Sequence, residues 1–374
     1  MKGVSRLIIF ITVIISFLFL PSHFTSASSL SSFSTPLDSE AYVVVDANSG
    51  EKLIGKNADI VMYPASITKI VTAIMAVETL DLDETVTISE EAVNADGTRV
   101  YLLENEEVTV HQLLYGLMVS SGNDAAIALA EHMAGSVEAF SKDMNEFVKK
   151  HVGASSTHFT NPHGLFNDEH VTTASDMAKI SAYAMKNNSF RDLVATKSYE
   201  WIGEGWETTL YNHHPLLRQL ETVIGIKNGY VKKSGFTLVT AAEKDGTEVI
   251  VVTLNSATSD LGKRDTERLL DYSFKHYETQ WVSFEGSLIT PGFIYPEKVG
   301  VTTFKNEPIS YDVSNNGFLR IYGSGNRLLG LNSLDPIEIE SKEMLEKESL
   351  PSERGKLATF LSFEWVFITG FLFM

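Results

Sequence analysis

The sequence predicts an α+β protein, in which an antiparallel sheet is flanked by helices and followed by a small all-β unit. Three observations predict it. Short apolar runs separated by turn residues lie at 41–54 and again at 236–254, and several stretches between them carry the three-and-four spacing of buried helices. Beyond Trp281 the texture changes to short β-like runs, Val299 to Phe304 and Ile309 to Val313, among Gly, Asn and Pro turns. Composition is that of a globular chain, 44% hydrophobic and 21% charged over 374 residues, with room for one large unit and a smaller one.

Taken in order, Ala41 to Val45 reads as a strand, Asp46-Ala47-Asn48-Ser49-Gly50 as a turn, and Lys52 to Ile54 as the return strand of a hairpin. The apolar run that ends at Leu80 places Ile67, Ile70, Val71, Ile74, Met75 and Val77 at helical spacing, and Pro64 fits a start near Ser66. Thr85 to Ile88 resembles a strand. Val110 to Met133 is helical again, opened by the capping-box pattern Thr109-Val110-His111-Gln112. It is broken at Ser120-Ser121-Gly122-Asn123-Asp124, which offers a new N-cap to a helix from Ala125 to Ala134. Phe140 to His151 and Ser175 to Met185 read as helices, with a loop at Asn161–Phe166 between them. The strands Phe236 to Ala242 and Val249 to Leu254, joined by Lys244-Asp245-Gly246, precede a last helix from Thr266 to Tyr277.

The two ends differ in kind from the middle. Lys2 and Arg6 precede the apolar run Leu7 to Leu20, a secretory signal pattern with cleavage after Ala27, an uncleaved anchor being the alternative. Leu357 to Met374 is almost wholly apolar and, as helix, marginally long enough to cross a bilayer core. Glu364 in its middle makes an interfacial anchor an equal reading, and a buried terminal helix is the alternative to both. The expected organisation is a signal peptide over 1–27, a linker over 28–37, a main domain over 38–280, a β-rich domain over 281–345, and a linker with apolar membrane anchor over 346–374. Such a chain is exported and attached to the outer face of the cell membrane.

Several chemistries are disfavoured by composition. There are no cysteines, hence no thiolate metal site and no thiol redox chemistry. A net charge of -18 argues against nucleic-acid binding, which needs clustered Lys and Arg. Asn212-His213-His214-Pro215 resembles a metal pair, but adjacent histidines point in different directions and no carboxylate motif accompanies them.

Ser66 and Lys69 lie one turn apart on one helix face, so a hydroxyl and an amine can meet. Serine is a weak nucleophile until a base takes its proton. Lysine is such a base only when neutral, far below its usual pKa of about 10.4. Burial lowers that value, and so does the positive end of the helix dipole in the first turn. Taken alone, Ser-x-x-Lys also arises by chance, and Ser120–Asp124 also reads as the caps of an αα-corner.

Three elements stand in order: Ser66-x-x-Lys69, Ser121-Gly122-Asn123 and Lys227-Asn228-Gly229. Together they resemble the Ser-x-x-Lys, Ser-x-Asn and Lys-Thr-Gly signatures of the penicillin-binding and serine β-lactamase superfamily. The closer resemblance is to the low-molecular-mass penicillin-binding proteins that are D-alanyl-D-alanine carboxypeptidases. It covers most of residues 38–280, through Pro64–Lys69, Leu114–Met118 with Ser121–Ala126, Asn161–Leu165 and the Gly-x-Lys-x-Gly-Tyr stretch from Gly225 to Tyr230.

The resemblance implies a β-lactamase/transpeptidase-like first domain, a β-rich second domain and a membrane anchor. It further implies that Ser66 attacks the carbonyl between two D-alanines of a peptidoglycan stem peptide, with Lys69 as base. Ser121 relays a proton to the leaving amine, and Asn123 bonds the substrate amide. Lys227, with Asn228 and Gly229, faces the terminal carboxylate, and the backbone N–H groups of Ser66 and Tyr230 form an oxyanion hole. β-Lactam antibiotics are then acylating inhibitors, no metal or cofactor is needed, and cell-wall biogenesis and cell shape are the processes served.

Two positions depart from the family. Asn228 stands where Thr is usual, which alters the geometry offered to a carboxylate. An arginine usual before the last helix is replaced by Gly262-Lys263-Arg264, so that Lys263 or Arg264 is an approximate stand-in. The Glu-x-x-Leu-Asn motif of class A β-lactamases has no counterpart. The alternative function is a degenerate member that binds stem peptide or organises the wall without turnover. His163 and His170 carry no assigned role.

Overall fold

The structure is a computed structural model that describes residues 33–284 and 292–337. The signal-like run, the first half of the Ser-rich linker and the carboxy-terminal apolar run therefore lie outside the described residues. Among the described residues no helix is long and apolar enough to cross a membrane.

The expected hairpin forms as β1 (Ala41–Asp46) and β2 (Lys52–Lys56), its turn closed by the Asp46 carboxylate, which accepts from Ser49 Oγ at 2.7 Å. A 3-10 turn, Ala65–Thr68, runs into α1 (Lys69–Thr79). The ribbon of β3 (Thr85–Thr87) with its later partner β4 spans the short helix α2 (Glu90–Val93); β4 is Glu107–Thr109 and runs into α3 (Val110–Val119). Next come α4 (Asn123–Ala134), α5 (Val137–Phe147), α6 (Ala174–Ala184) and α7 (Asn188–Ala195). A ribbon of β5 (Ser198–Ile202) and β6 (Glu207–Tyr211) follows. Then β7 (Val223–Val231), β8 (Gly235–Lys244) and β9 (Thr247–Ser256) run antiparallel to one another before α8 (Ser259–His276).

The central sheet has the order β2-β1-β9-β8-β7, every pair antiparallel, so β7 is an edge strand. Strands β1 and β9 are apolar at consecutive positions because both sheet faces are covered. Ala41, Val43 and Val45 of β1, with Ile250, Val252 and Leu254 of β9, enter the larger core beside α1. Tyr42 and Val44, with Val249 and Val251, enter a second core against Leu269 and Leu270 of α8. The two-residue period of a strand makes this division.

Helix α1 is buried on all sides from Lys69 through Ala76, as expected of a helix that is apolar around its circumference. Truncating Ile70 or Ile74 to Ala removes core volume worth about 2–5 kcal/mol. The helix is thus a stiff platform, and its amino-terminal end carries the Ser66 turn.

Three local expectations are corrected. Thr109 caps α3 by accepting from Gln112 N at 3.2 Å, but the Gln112 side chain donates to Ile202 O at 2.7 Å instead of returning to the cap. Helix α8 begins at Ser259 rather than Thr266; its first turns hold Asp260, Gly262, Lys263 and Arg264, which supply little apolar periodicity, and Thr258 Oγ1 caps it from Leu261 N at 3.2 Å. Helix α4 begins at Asn123, with Gly122 at the cap and no side-chain cap bond.

Strand β10 (Tyr277–Ser283) continues directly from α8. After it come β11 (Phe293–Ile294), β12 (Lys298–Phe304), β13 (Ser310–Val313), β14 (Phe318–Tyr322), β15 (Leu328–Ser333) and β16 (Asp335–Pro336). Strand β12 pairs with β10, β11 with β16, and β13-β14-β15 form a three-stranded antiparallel sheet. Val282, Val301, Leu319, Ile321 and Leu329 make a third apolar cluster here.

Candidate active site

Ser66 sits on a turn held under strain. Ala65 has φ 53°, in the left-handed region that a residue with a Cβ occupies at a cost of about 1–3 kcal/mol. The turn is fixed from several sides. Pro64 O accepts from Thr237 Oγ1 of β8 at 2.9 Å, and Ala65 O accepts from Thr68 Oγ1 at 2.8 Å.

Two glycines allow close backbone approach to this turn. A Cβ on Gly229 of β7 would lie 2.6 Å from Ser66 N, and one on Gly164 would lie 1.9 Å from Ala65 O. Gly164 also has φ 89°. The loop that carries it is set by Asn161, whose Oδ1 accepts from Gly164 N at 2.7 Å while Nδ2 donates to Leu165 O at 3.0 Å.

Lys69 is fully buried, and its amine meets Ser66 Oγ at 3.1 Å, Asn123 Oδ1 at 2.7 Å and His163 O at 2.8 Å. The amine is held well below its usual pKa, by burial first and by the positive charge of Lys227 second, with Asp124 acting in the opposite sense. The two carbonyl oxygens can only accept. A neutral amine donating to both therefore keeps its lone pair for the Ser66 hydroxyl. This arrangement can take a proton from Ser66 without any movement of the backbone.

Asn123 is oriented by its other bonds: Nδ2 donates to Asp96 O at 2.6 Å and its backbone N–H to Thr98 O at 2.7 Å. Its neighbour Asp124 is buried and accepts from Val100 N at 2.9 Å, Ala125 N at 2.9 Å and Leu102 N at 3.3 Å. The start of α4 thereby holds the 96–102 segment against the cleft. Ser121, between α3 and α4, is buried and also left-handed, at φ 63°. The Ser120–Asp124 stretch thus does more than cap helices, since the Asn123 side chain reaches Lys69.

Lys227 lies on the edge strand β7, 2% exposed, and donates to Asn228 O at 3.1 Å. Burial brings its pKa down to about 7. The Asn228 Oδ1 atom stands 3.4 Å from the same amine. At the end of the strand Val231 N–H turns to Ser234 Oγ at 3.1 Å. N–H directions alternate along a strand, so that of Tyr230 faces the unpaired edge. Ser234 belongs to this hairpin turn.

The histidines divide by role. His163 contributes its carbonyl to Lys69, while its ring Nδ1 accepts from Leu165 N at 3.2 Å. His170 Nδ1 accepts from Thr160 N at 3.0 Å, which leaves Nε2–H to donate to Thr68 Oγ1 at 2.8 Å. Its pKa is brought down to about 3, by burial first, so it stays neutral and supports the Ser66 turn. His214 is buried, with Nε2 3.0 Å from Thr240 Oγ1, whereas His213 is exposed. The roles of His170, Asp124 and Thr237 are not readable from the sequence, because their partners are distant in it.

Two adjoining cavities share Pro215 and Lys263. The smaller is lined by Asn228, Thr237, Pro215 and Lys263. The larger, about 650 Å³, is lined by Ser120, His213, Pro215 and Lys263 among others. Lys263, on the first turns of α8, therefore faces the cleft, while Arg264 turns away to pair with Asp38.

Comparison with known proteins agrees with this arrangement. The family model for D-alanyl-D-alanine carboxypeptidase matches residues 27–258. The Bacillus subtilis D-alanyl-D-alanine carboxypeptidase DacF is 31% identical over 268 residues, 70% of this chain and 68% of the relative. The Escherichia coli DacA is 30% identical over 308 residues, 76% of this chain and 69% of the relative. Among solved structures, penicillin-binding protein 5 from Haemophilus influenzae superposes with TM-score 0.70 at 26% identity, covering 81% of this chain and 98% of that one. A mutant Streptomyces K15 DD-transpeptidase gives TM-score 0.62 at 31% identity over 65% of this chain and all of its own.

Proposed function

The chain belongs to the D-alanyl-D-alanine carboxypeptidase family, and from that premise we propose how this serine peptidase removes the terminal D-alanine of a peptidoglycan stem peptide. The observation that carries the mechanism is the set of three contacts made by the Lys69 amine. Neutral Lys69 takes the Ser66 proton as Ser66 Oγ bonds to the carbonyl carbon between the two D-alanines. The developing oxyanion is met by the N–H groups of Ser66 and Tyr230. Ser121 then relays that proton from Lys69 to the leaving nitrogen, the C–N bond breaks and D-alanine departs. Water attacks the ester and restores Ser66.

Lys227 has two parts in this scheme. Its charge meets the substrate carboxylate, and the same charge disfavours protonation of Lys69. Asn123 holds Lys69 and the substrate amide. Asn228 stands at the carboxylate end of the cleft in place of Thr. β-Lactams enter the same path and acylate Ser66.

We further propose that the chain acts outside the cytoplasm, held at the membrane by its carboxy-terminal apolar run, and serves the cell wall and cell shape. The support is the charged-then-apolar pattern of the first 27 residues and the composition of Leu357 to Met374. Cell fractionation with and without residues 357–374 tests it: loss of membrane association on deletion is expected, and unchanged association overturns the anchor.

The activity is tested by D-alanine release from diacetyl-lysyl-D-alanyl-D-alanine. Release by the parent and none by Ser66→Ala is expected. No release by a folded parent would leave a stem-peptide binder without turnover.

A further inference from the structure

The cavity beyond the carboxylate end of the cleft is larger than terminal D-alanine needs. D-Alanine offers a methyl group and one carboxylate, whereas about 650 Å³ lies open next to Lys263, in the range of sites that hold whole small-molecule ligands. Its lining mixes apolar and polar groups and carries a net positive charge. Arg218 and Lys263 face it with His213 and Thr208, against one carboxylate, Asp260. Neither cation makes an ion pair among the described residues. The Arg218 guanidinium instead rests over the Tyr211 ring, 5.4 Å from its centroid, which holds it at the cavity wall.

In a protein of net charge -18, two cations against the single carboxylate of Asp260 leave this cavity one net positive charge, which favours an anion. One carboxylate, that of the terminal residue, is already met by Lys227 at the inner end.

We propose that this cavity is a leaving-residue subsite for a D-amino acid whose side chain ends in a second carboxylate. The inference rests on the carboxypeptidase reading and deepens it. The leaving group is then an amine flanked by its own carboxylate, as in D-alanine, with an acidic arm extending along Thr208 toward Arg218. The bond chemistry is unchanged: the acyl group passes to Ser66 Oγ, the leaving nitrogen takes the proton, and water completes hydrolysis.

The test compares diacetyl-lysyl-D-alanyl-D-X peptides with X as Ala, Glu or Gln, using the full chain. D-Glu and D-Gln are nearly isosteric and differ in charge. We expect kcat/KM for D-Glu to exceed that for D-Gln about fivefold, as for one partly exposed charged hydrogen bond. Arg218→Gln brings the ratio to about one, and raised salt shrinks it. Arg218 is exposed, so the variant folds. Thr208→Trp, which fills the cavity, slows both long residues relative to D-Ala. Equal rates for D-Glu and D-Gln in the parent, a ratio unmoved by Arg218→Gln, or cleavage of the D-Ala peptide alone overturns this inference and leaves the carboxypeptidase intact. Absence of D-alanine release overturns both.

Discussion

Glu307 in the β-rich part and Lys227 in the cleft are both buried, and burial alone raises a carboxyl pKa and lowers that of an amine. At Glu307 burial is outweighed. Its carboxylate accepts from the Thr303 hydroxyl, from Ser324 N at 2.8 Å and from Arg327 at 2.7 Å, and its pKa ends below the usual carboxylate value. In the cleft nothing outweighs it. Lys69 and Lys227 carry the same sign, neither makes an ion pair among the described residues, and Asp124 spends its oxygens on backbone N–H groups. Burial thus goes with a structural tie where opposite charges meet and with a weakened, reactive amine where like charges do. The second arrangement costs stability, and function keeps it.

The largest expected effect breaks the cleft side of this contrast. Lys69→Met, similar in length and without charge, should lower D-alanine release about 10³-fold or more. Its melting temperature should stay level or rise, because a buried amine is gone. A fall of several degrees in calorimetry would mean that Lys69 is a stabilising group after all.

Gly164→Ala should come next, since its Cβ would lie 1.9 Å from Ala65 O at a left-handed φ. We expect about a 10²-fold loss of turnover as the Ser66 turn is displaced, with the rest of the fold retained by circular dichroism. Wild-type rates would show that the 161–166 loop does not hold Ser66.

On the other side, Glu307→Ala leaves Arg327 and the Ser324 N–H without their acceptor. Urea unfolding should show a loss of about 2 kcal/mol, with D-alanine release per folded molecule unchanged. A loss under about 0.5 kcal/mol would reduce the tie to an ordinary surface pair.

The pH dependence separates the two by sign, with the smallest amplitude. Lys227 falls from 10.5 to about 7 on folding, so between those values the unfolded chain binds the extra proton and stability rises with pH. The deficit of the parent relative to Lys227→Met should therefore shrink as pH rises from 7 toward 10. Glu307 is lowered from 4.5, so its contribution is present above that pH and is lost as pH falls below it. A parent-to-Lys227→Met difference that is flat above pH 7 would contradict the buried, weakened amine.

Much of this was legible beforehand, for local reasons. The β1–β2 hairpin, α1, α6 and the β8–β9 pair announce themselves by periodicity and turn residues. The Ser66–Lys69 approach depends on one helical turn. The β5–β6 ribbon was silent, because Ser198–Ile202 and Glu207–Tyr211 mix charged and aromatic residues on a half-exposed surface. The start of α8 was misplaced because polar first turns hide helical spacing, and with it the position of Lys263 was left open.

By itself the sequence determined which residues could do the chemistry: a hydroxyl and an amine one turn apart, two further motifs in order, and a core long enough to hold them. Only the tertiary structure decided how they meet. Asn123 and the His163 carbonyl reach Lys69 from 54 and 94 residues away, Gly229 brings an edge strand onto Ser66, and Lys227 supplies its charge across the cleft. Local periodicity reports the surroundings of one turn or one strand. A lowered lysine pKa depends instead on desolvation and on charges that only the packing of distant segments brings together.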